Sequence, residues 1–480
     1  MKSKLFYLTV LGFSLLWGGG CTQMDYNAPF ASNDPVQGRK TDAKFDVGLT
    51  AAKAFVEILN KDTSGVLRKD VKEITLVVHN GDTLLYIVNY EDNKGWLVVS
   101  GDKRTHGILA YADEGSFEIA KLNPGQITWL DDLANQIYVL KTQANLEADT
   151  LAADYRLWNN IETYLANTAN RQSVIGDPKG PLIFDPETVP WELVGISSQE
   201  LPTTNVGPLL QTKWGQDSPW NTCVPNYRDG SRRSRVGCVA VAFAQMQYYL
   251  HYKLGVPAAM YSSGYCNGWA DGSTRSCQFG FSNPTTTTWD QMAKTSPNGA
   301  INTATERVAV LMGYTAEQIF TSYEGTKGSS SNLNNVCMRL FDLNLIYDLK
   351  VYNYSEVLTS LSKDMPVMVG AHSQKITTSL LGITLYTEYT RGHVWVIDGY
   401  ENKNIKYTYH YQWYDKSATG TTPVYTKDEQ EIITTPNYFY MNWGYDGSWD
   451  SGRYTFDGLW NANDGDHQYE REMLIVYGKY

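Results

Sequence analysis

Histidine and cysteine are both scarce, with 7 and 6 copies in 480 residues, and no HExxH pair or Cys and His cluster at metal-ligand spacing occurs. The common zinc-binding patterns are therefore excluded, and nothing in the chain calls for a metal or another cofactor. Basic residues are in the minority, 40 Lys plus Arg against 51 Asp plus Glu, for a formal net charge of -11. They are also scattered. A nucleic-acid partner is excluded on that ground, because backbone binding relies on clustered cations that release counterions from phosphates. Internal repeats and low-complexity tracts are lacking too, which removes the solenoid and fibrous classes.

What is present is ordinary globular composition, 42% hydrophobic and 19% charged. The chain is too long for one core, since domains run to about 100 to 200 residues, and two or three folded units are expected. The unusual feature is 34 Tyr and 14 Trp, a bias that suits extracellular β-rich domains and surfaces that bind glycan or peptide. Residues 1–21 read MKSKLFYLTVLGFSLLWGGGC, which has the plan of an export signal. Its apolar run falls short of the roughly 20 residues of a spanning helix. Small residues before Cys21 resemble a lipobox, although Gly18 stands where Leu is usual and Leu16 lies two places further back. The expectation is an exported chain, lipidated at Cys21 and anchored to a bacterial outer membrane or cell surface until any release by processing. The competing reading makes Cys21 part of a conventional signal peptide.

Beyond Cys21 stand Cys223, Cys238, Cys266, Cys277 and Cys337. An odd number in an oxidising compartment leaves at least one thiol free or intermolecular. Cys266 and Cys277 share a Gly- and Ser-rich loop and are close enough for a local disulfide; two unpaired loop cysteines fit the pattern as well.

Residues 22–46 are polar and aperiodic, as expected of a tether. Residues 48–60 have the apolar spacing of a short helix. KEITLVVH, DTLLYIVNY, GWLVVS and GILAYA follow as four β-prone runs separated by turn signals, which predicts an antiparallel meander. Over 126–167 the periodicity of one long helix or two places Trp129, Leu130, Leu133, Ile137 and Leu140 on one face. Residues 47–170 thus form a first, α+β unit. Pro178, Pro181, Pro186, Pro190 and Pro202 then interrupt regular structure across 171–204, an exposed linker suited to a processing site. A second unit covers 205–480.

The chemistry lies in that second unit. In GCVAVAFAQMQYYL, Val239, Phe243, Met246 and Leu250 have helical spacing and put Cys238 in the first turn. There the helix dipole and free N–H groups favour a thiolate, and Arg232, Arg233 and Arg235 just upstream add positive potential. A buried or disulfide-linked cysteine is the plainer alternative. In RGHVWVIDGY, His393 opens a strand, with 405–411 expected to pair back on it through the turn at 401–404. A strand is a rigid mount for an imidazole base, though a lone strand histidine is more often structural. In YFYMNWGYDGSWDSGRY, Asn442 precedes Trp443. An amide there would hold the imidazole in one tautomer and the indole would shield that bond; a simple turn residue is the alternative.

The order Cys, His, Asn is that of papain-like peptidases. The segments GCVAVAFAQ, GHVWVIDGY and NWGYDG, with KWGQDSPWN upstream, resemble the streptopain family of bacterial cysteine peptidases across the whole second unit. Residues 82–118, with GWLVVSGDKRTHGILAYADEGSF, resemble that family's inhibitory propeptide. The resemblance implies an α+β, papain-like catalytic domain: a helix bearing Cys238 packed on an antiparallel sheet bearing His393, after an α+β propeptide domain. It implies Cys238 and His393 as the catalytic pair and Gln216 as the oxyanion-hole side chain; an amide N–H at that point is what a developing oxyanion needs. Asn442 and Trp443 would orient and shield the base. Protein or peptide substrates and the propeptide in cis are the implied partners. Tyr445 departs from the pattern, which usually has a second Trp there, and 411–436 looks like an insertion. A catalytically inert surface lipoprotein that binds glycan or peptide, and a transglutaminase-like transferase, are the competing readings.

Overall fold

The computed structural model describes residues 20–25, 43–61, 66–142, 153–173, 191–203, 205–225, 233–256, 261–266, 275–280, 289–296, 298–323, 329–380, 383–413, 425–448, 450, 452–456 and 471–480. In the first unit Asn80 and Gly81 take the left-handed φ values of 51° and 90° that a two-residue hairpin requires. They fold β2 (Val71–His79) back on β3 (Asp82–Tyr90). The meander continues through β4 (Trp96–Ser100) and β5 (Ile108–Ala112), while β1 (Gly20–Asp25) lies parallel to β2 at the outer edge. Ile74, Tyr86, Val88, Leu97 and Val99 share a core with α1 (Leu49–Asn60) and α3 (Ala153–Ser173). Val77, Leu85, Ile87, Trp96 and Val98 share the opposite one with α2 (Pro124–Thr142). Burial on both faces explains why these runs read as continuously apolar.

The second unit starts with β6 (Glu192–Leu201) and β7 (Asn205–Val206) and then α4 (Cys238–Leu254). Two small hairpins, β8 (Tyr261–Cys266) with β9 (Arg275–Gly280) and β10 (Ser322–Tyr323) with β11 (Ser329–Ser330), flank α5 (Thr303–Gln318). In the first hairpin Cys266 is opposite Arg275 and Cys277 opposite Gly264; a bond between the two sulfurs lies outside the described side chains. The chain continues through α6 (Leu333–Asp342), β12 (Leu345–Val351), α7 (Tyr354–Leu361), β13 (Val367–Leu380) and β14 (Ile383–Glu401). It ends with β15 (Asn404–Trp413), β16 (Tyr425–Thr434), β17 (Tyr438–Asn442), β18 (Arg453–Tyr454) and β19 (Glu472–Lys479).

Three features depart from the sequence expectations. The two units do not have separate cores: Tyr454 pairs with Ala110 and Arg453 with Tyr111. One sheet thus runs in the order β1-β2-β3-β4-β5-β18-β17-β14-β13-β19-β12, with β7 on β14. The open edge of the meander is closed by the second unit, and one core spans both, from Trp129 and Leu133 to Trp395, Phe439 and Trp443. Second, β15 does not pair back on the histidine strand. The turn after Glu401 directs it to β6 and β16 instead, where Ile405, Tyr407 and Tyr409 cover Phe55, Leu157 and Trp158 of the first unit. Third, the proline-marked stretch contains that β6 strand, because Leu193 and Ile196, brought to one side by the bulge opposite His410 and Tyr411, have this same apolar face to join.

Trp129 marks the seam, 1% exposed, its indole N–H donating to the Thr455 carbonyl at 2.7 Å. Trp129→Ala should cost about 3 to 5 kcal/mol, the usual penalty for emptying a large aromatic site. Denaturant unfolding of the full chain reads the value, and a loss under about 1 kcal/mol would mean that the seam contributes little to the fold.

Candidate active site

Cys238 is the first residue of α4, and Gly237 before it has φ 98°. That left-handed turn favours glycine, and an added Cβ would also come within 3.2 Å of Ser329. The half-buried Cys238 sulfur faces the backbone N–H groups of Val394, Val239 and Cys238 itself. These favour the thiolate, but burial outweighs them and pushes the thiol above its ordinary range. The upstream arginines do not change this. Arg233 donates to the Val224 carbonyl at 2.8 Å and exposed Arg235 pairs with Asp217 at 3.2 Å, while Arg232 lies outside the described residues.

His393 sits on β14 opposite Ala371 of β13 and is 3% exposed. Along β14, Val394 and Val396 turn to the core beneath α4, whereas Trp395 and Ile397 turn to the core under α2. The imidazole goes with the second set. It stacks near Trp395 (6.2 Å, 14°) and Tyr445 (5.6 Å, 31°), and its Nε2 donates to the Trp443 carbonyl at 3.0 Å. Above it lies the first turn of α2: a Cβ on Gly125 would come within 2.8 Å of His393 Cδ2 and 2.3 Å of Trp443 Cε3. Burial lowers the imidazole to about 4, with the Trp443 carbonyl pulling weakly the other way, so the ring is neutral at pH 7. Among the described residues no hydrogen bond joins His393 to Cys238.

Asn442 is not on the imidazole. Its amide donates to the Thr212 carbonyl at 2.9 Å and exchanges bonds with Gln245 of α4 at 3.0 and 3.1 Å. It anchors the strand whose next residue, Trp443, supplies the carbonyl. Trp443 itself is fully buried, and its N–H donates to Asp450 at 3.3 Å. Gln216 is 8% exposed; its carbonyl accepts from Val236 N–H at 3.0 Å, two residues before Cys238. Its side chain lies beside the Tyr445 hydroxyl. The structure thus gathers Cys238, His393, Gln216, Trp443 and Tyr445 around one point and places Asn442 one layer behind. Gly125 and Gln245 were invisible as site residues. No sequence signal distinguishes a helix-starting glycine under a histidine from any other, and Gln245 reads only as a helix position.

The chain matches the model of the Peptidase C10 family over residues 214–452 and that of the Spi protease inhibitor over residues 46–137. No curated protein matches it. Among solved structures, a fragment of Prevotella intermedia prointerpain A is similar, with 20% identity, a TM-score of 0.49, and coverage of 83% of this chain and 96% of that one. Active wild-type interpain A cysteine protease from the same organism is similar at 23% identity and TM-score 0.36, over 56% of this chain and 94% of the other. A peptidase model that begins at Trp214 and runs past the Cys238, His393 and Asn442 motifs, behind an inhibitor model that takes in β2 to β5 and most of α2, identifies this chain as a cysteine-type peptidase of the C10, or streptopain, family, preceded by its inhibitory propeptide domain.

Proposed function

We propose that the protein is an exported, lipid-anchored endopeptidase precursor in which Cys238 is the nucleophile and His393 the general base. His393 takes the thiol proton, the thiolate attacks a peptide carbonyl, and the Gln216 amide with the Cys238 backbone N–H holds the oxyanion. The imidazolium then protonates the leaving amine, and water hydrolyses the thioester to regenerate the thiol. Asn442 acts at one remove: tied to Gln245, it fixes the backbone of Trp443, whose carbonyl orients the imidazole. Lipidation at Cys21 and export by the preceding segment rest on the 1–21 pattern, and most of that segment lies outside the described residues. They imply attachment to the cell envelope with the peptidase unit outside.

The observation that carries the latent state is the α2 contact. Gly125 rests on the imidazole, and among the described residues no hydrogen bond joins that ring to Cys238, although Nε2 on the Trp443 carbonyl leaves Nδ1 for it. A base out of reach of its nucleophile cannot activate it, and a thiol pushed up by burial remains protonated at neutral pH. Processing between Arg171 and Asn205 would release that hold. Because β6 is paired with β15, a cut within 174–190, between α3 and β6, leaves β6 on the second unit, and the first unit then departs by giving up the two-residue pairing of β5 with β18.

Cys238→Ala and His393→Ala should each lower hydrolysis of a peptide substrate by several orders of magnitude in the processed enzyme, since the two act as one unit. Gln216→Ala should cost on the order of 100-fold to 1,000-fold. Near-wild-type turnover in either of the first two variants sinks the assignment. Latency has its own test. Gly125→Ala forces α2 off Trp443, so alkylation of Cys238 by iodoacetamide at pH 7 should speed up at least about tenfold in the verified-uncut precursor. An unchanged rate in a folded variant would show that α2 does not hold the site closed.

The buried imidazole also makes a pH prediction. Its folded value, about 4, lies below the ordinary 6.5, so the unfolded chain binds the extra proton and stability falls as pH drops from 6.5 toward 4. His393→Gln keeps a donor for the Trp443 carbonyl but does not titrate. Between those limits the Cys238→Ala precursor should lose on the order of 3 kcal/mol more than its His393→Gln counterpart. Parallel stability curves would place the proton elsewhere.

A further inference from the structure

Two turns along α2 from the glycine that rests on the imidazole, the Asp132 carboxylate crosses into the second unit and pairs with Arg471. Both residues are buried, Asp132 with 5% and Arg471 with 7% of its surface exposed. The guanidinium lies over the rings of Phe456 at 4.5 Å and Tyr352 at 6.0 Å, and the Arg471 carbonyl accepts the Tyr352 N–H at 2.9 Å. The second unit thus holds the cation by itself but does not neutralise it. Among the described residues Asp132 is the only carboxylate paired with Arg471, and it belongs to the first unit, which leaves on processing.

The sheet and the helix both set Arg471 about 10 Å from His393. Glu472 pairs with Gly370, and His393 with Ala371. Arg471, one residue before Glu472, is therefore level with the imidazole two strands away, about 10 Å at the usual strand spacing. Met473 and Ile475 share the α2 side of the sheet with Trp395 and Ile397, and strand alternation puts Arg471 on the same side as His393. Along α2, Gly125 and Asp132 are seven residues apart on one face, again about 10 Å.

A buried ion pair is seldom better for stability than an apolar pair of similar volume, so firmness of the seam does not account for a cation here. Recognition does: the guanidinium is preorganised by aromatic rings, in line with the base, and loses its counter-ion as soon as the cover leaves. Resting on the peptidase reading with His393 as base, we propose that Arg471 is a specificity-determining residue of the processed enzyme. It takes the carboxylate of an acidic substrate side chain at the point that Asp132 fills in the precursor. An extended peptide advances about 3.3 Å per residue, so that acidic residue falls about three positions, within one either way, from the bond cleaved.

The test uses the fully processed enzyme and internally quenched peptides in which one position at a time, on either side of the cleaved bond, carries Glu or Gln. At one position about two to four residues from that bond, Glu should raise kcat/KM at least about tenfold over Gln, as expected of a charge-assisted pair. Asp132→Asn combined with Arg471→Gln leaves a neutral hydrogen-bonding pair in the precursor and, after processing, an enzyme that differs from wild type only at position 471. It should cleave the Gln peptides within about twofold of the wild-type rate and prefer Glu by less than about twofold. Arg471→Lys exchanges the planar fork for a point charge and should reduce the preference at least about threefold; it decides the matter if the neutral variant does not fold. Wild-type cleavage with no preference for Glu at any of these positions, or a preference undiminished in either variant, overturns the proposal. A wild-type enzyme that cleaves none of the peptides would instead remove the peptidase reading, and the proposal with it.

Discussion

The pairing of β5 with β18 governs the rest of the molecule. Two residue pairs, Tyr454 with Ala110 and Arg453 with Tyr111, are enough to place the meander in the plane of the peptidase sheet. The Leu109 carbonyl adds bonds from the Thr455 backbone at 3.0 Å and its hydroxyl at 2.9 Å. Once the planes coincide, α2 has to lie across β13 and β14, because the apolar face it covers on the meander continues without a break onto those strands. The turn that begins α2 then falls on His393. A short edge contact thereby sets the position of a helix relative to a side chain on the far side of the seam.

Cys238 and His393 are held in their neutral forms by one cause. Burial raises a thiol and lowers an imidazole, so covering the site moves the two values apart. A thiolate–imidazolium pair needs the reverse order, with the thiol below the imidazole. Opening the site to water and bringing the thiol and the imidazole into contact act in the same direction, so the ion pair and the uncovered cleft should appear together. The helix dipole and the three N–H groups around Cys238 are already in place, so little has to be built once the cover leaves.

Much of this was legible in the sequence. The Cys238 helix, the His393 strand, the meander and the helices on either side of residue 150 follow from periodicity and turn residues, because each is decided by neighbours three or four positions away. What escaped depends on contacts between distant segments. The bond of Asn442 to Gln245 spans 197 positions, and nothing local distinguishes it from a bond to the imidazole that the residue order suggested. The pairing of β15 with β6 escaped for the same reason. Its alternation of Ile405, Tyr407 and Tyr409 shows one apolar face but not which surface that face meets. Arg233 and Arg235 misled in a simpler way, since proximity along the chain did not bring their charges to the sulfur.

The sheet of β6, β15 and β16 has an evolutionary consequence. Its buried face, Leu193, Ile196, Ile405, Tyr407, Tyr409 and Ile433, packs on Phe55, Leu157, Trp158 and Ile161 across the boundary between inhibitor and enzyme. Close packing tolerates a change of one methylene poorly, so a substitution on either side calls for a compensating one on the other. The two halves of the gene are therefore bound to drift in step. As related chains diverge, each inhibitor domain becomes a poorer fit to every peptidase but its own, and cells that carry several such enzymes can keep their latency separate without any dedicated recognition element.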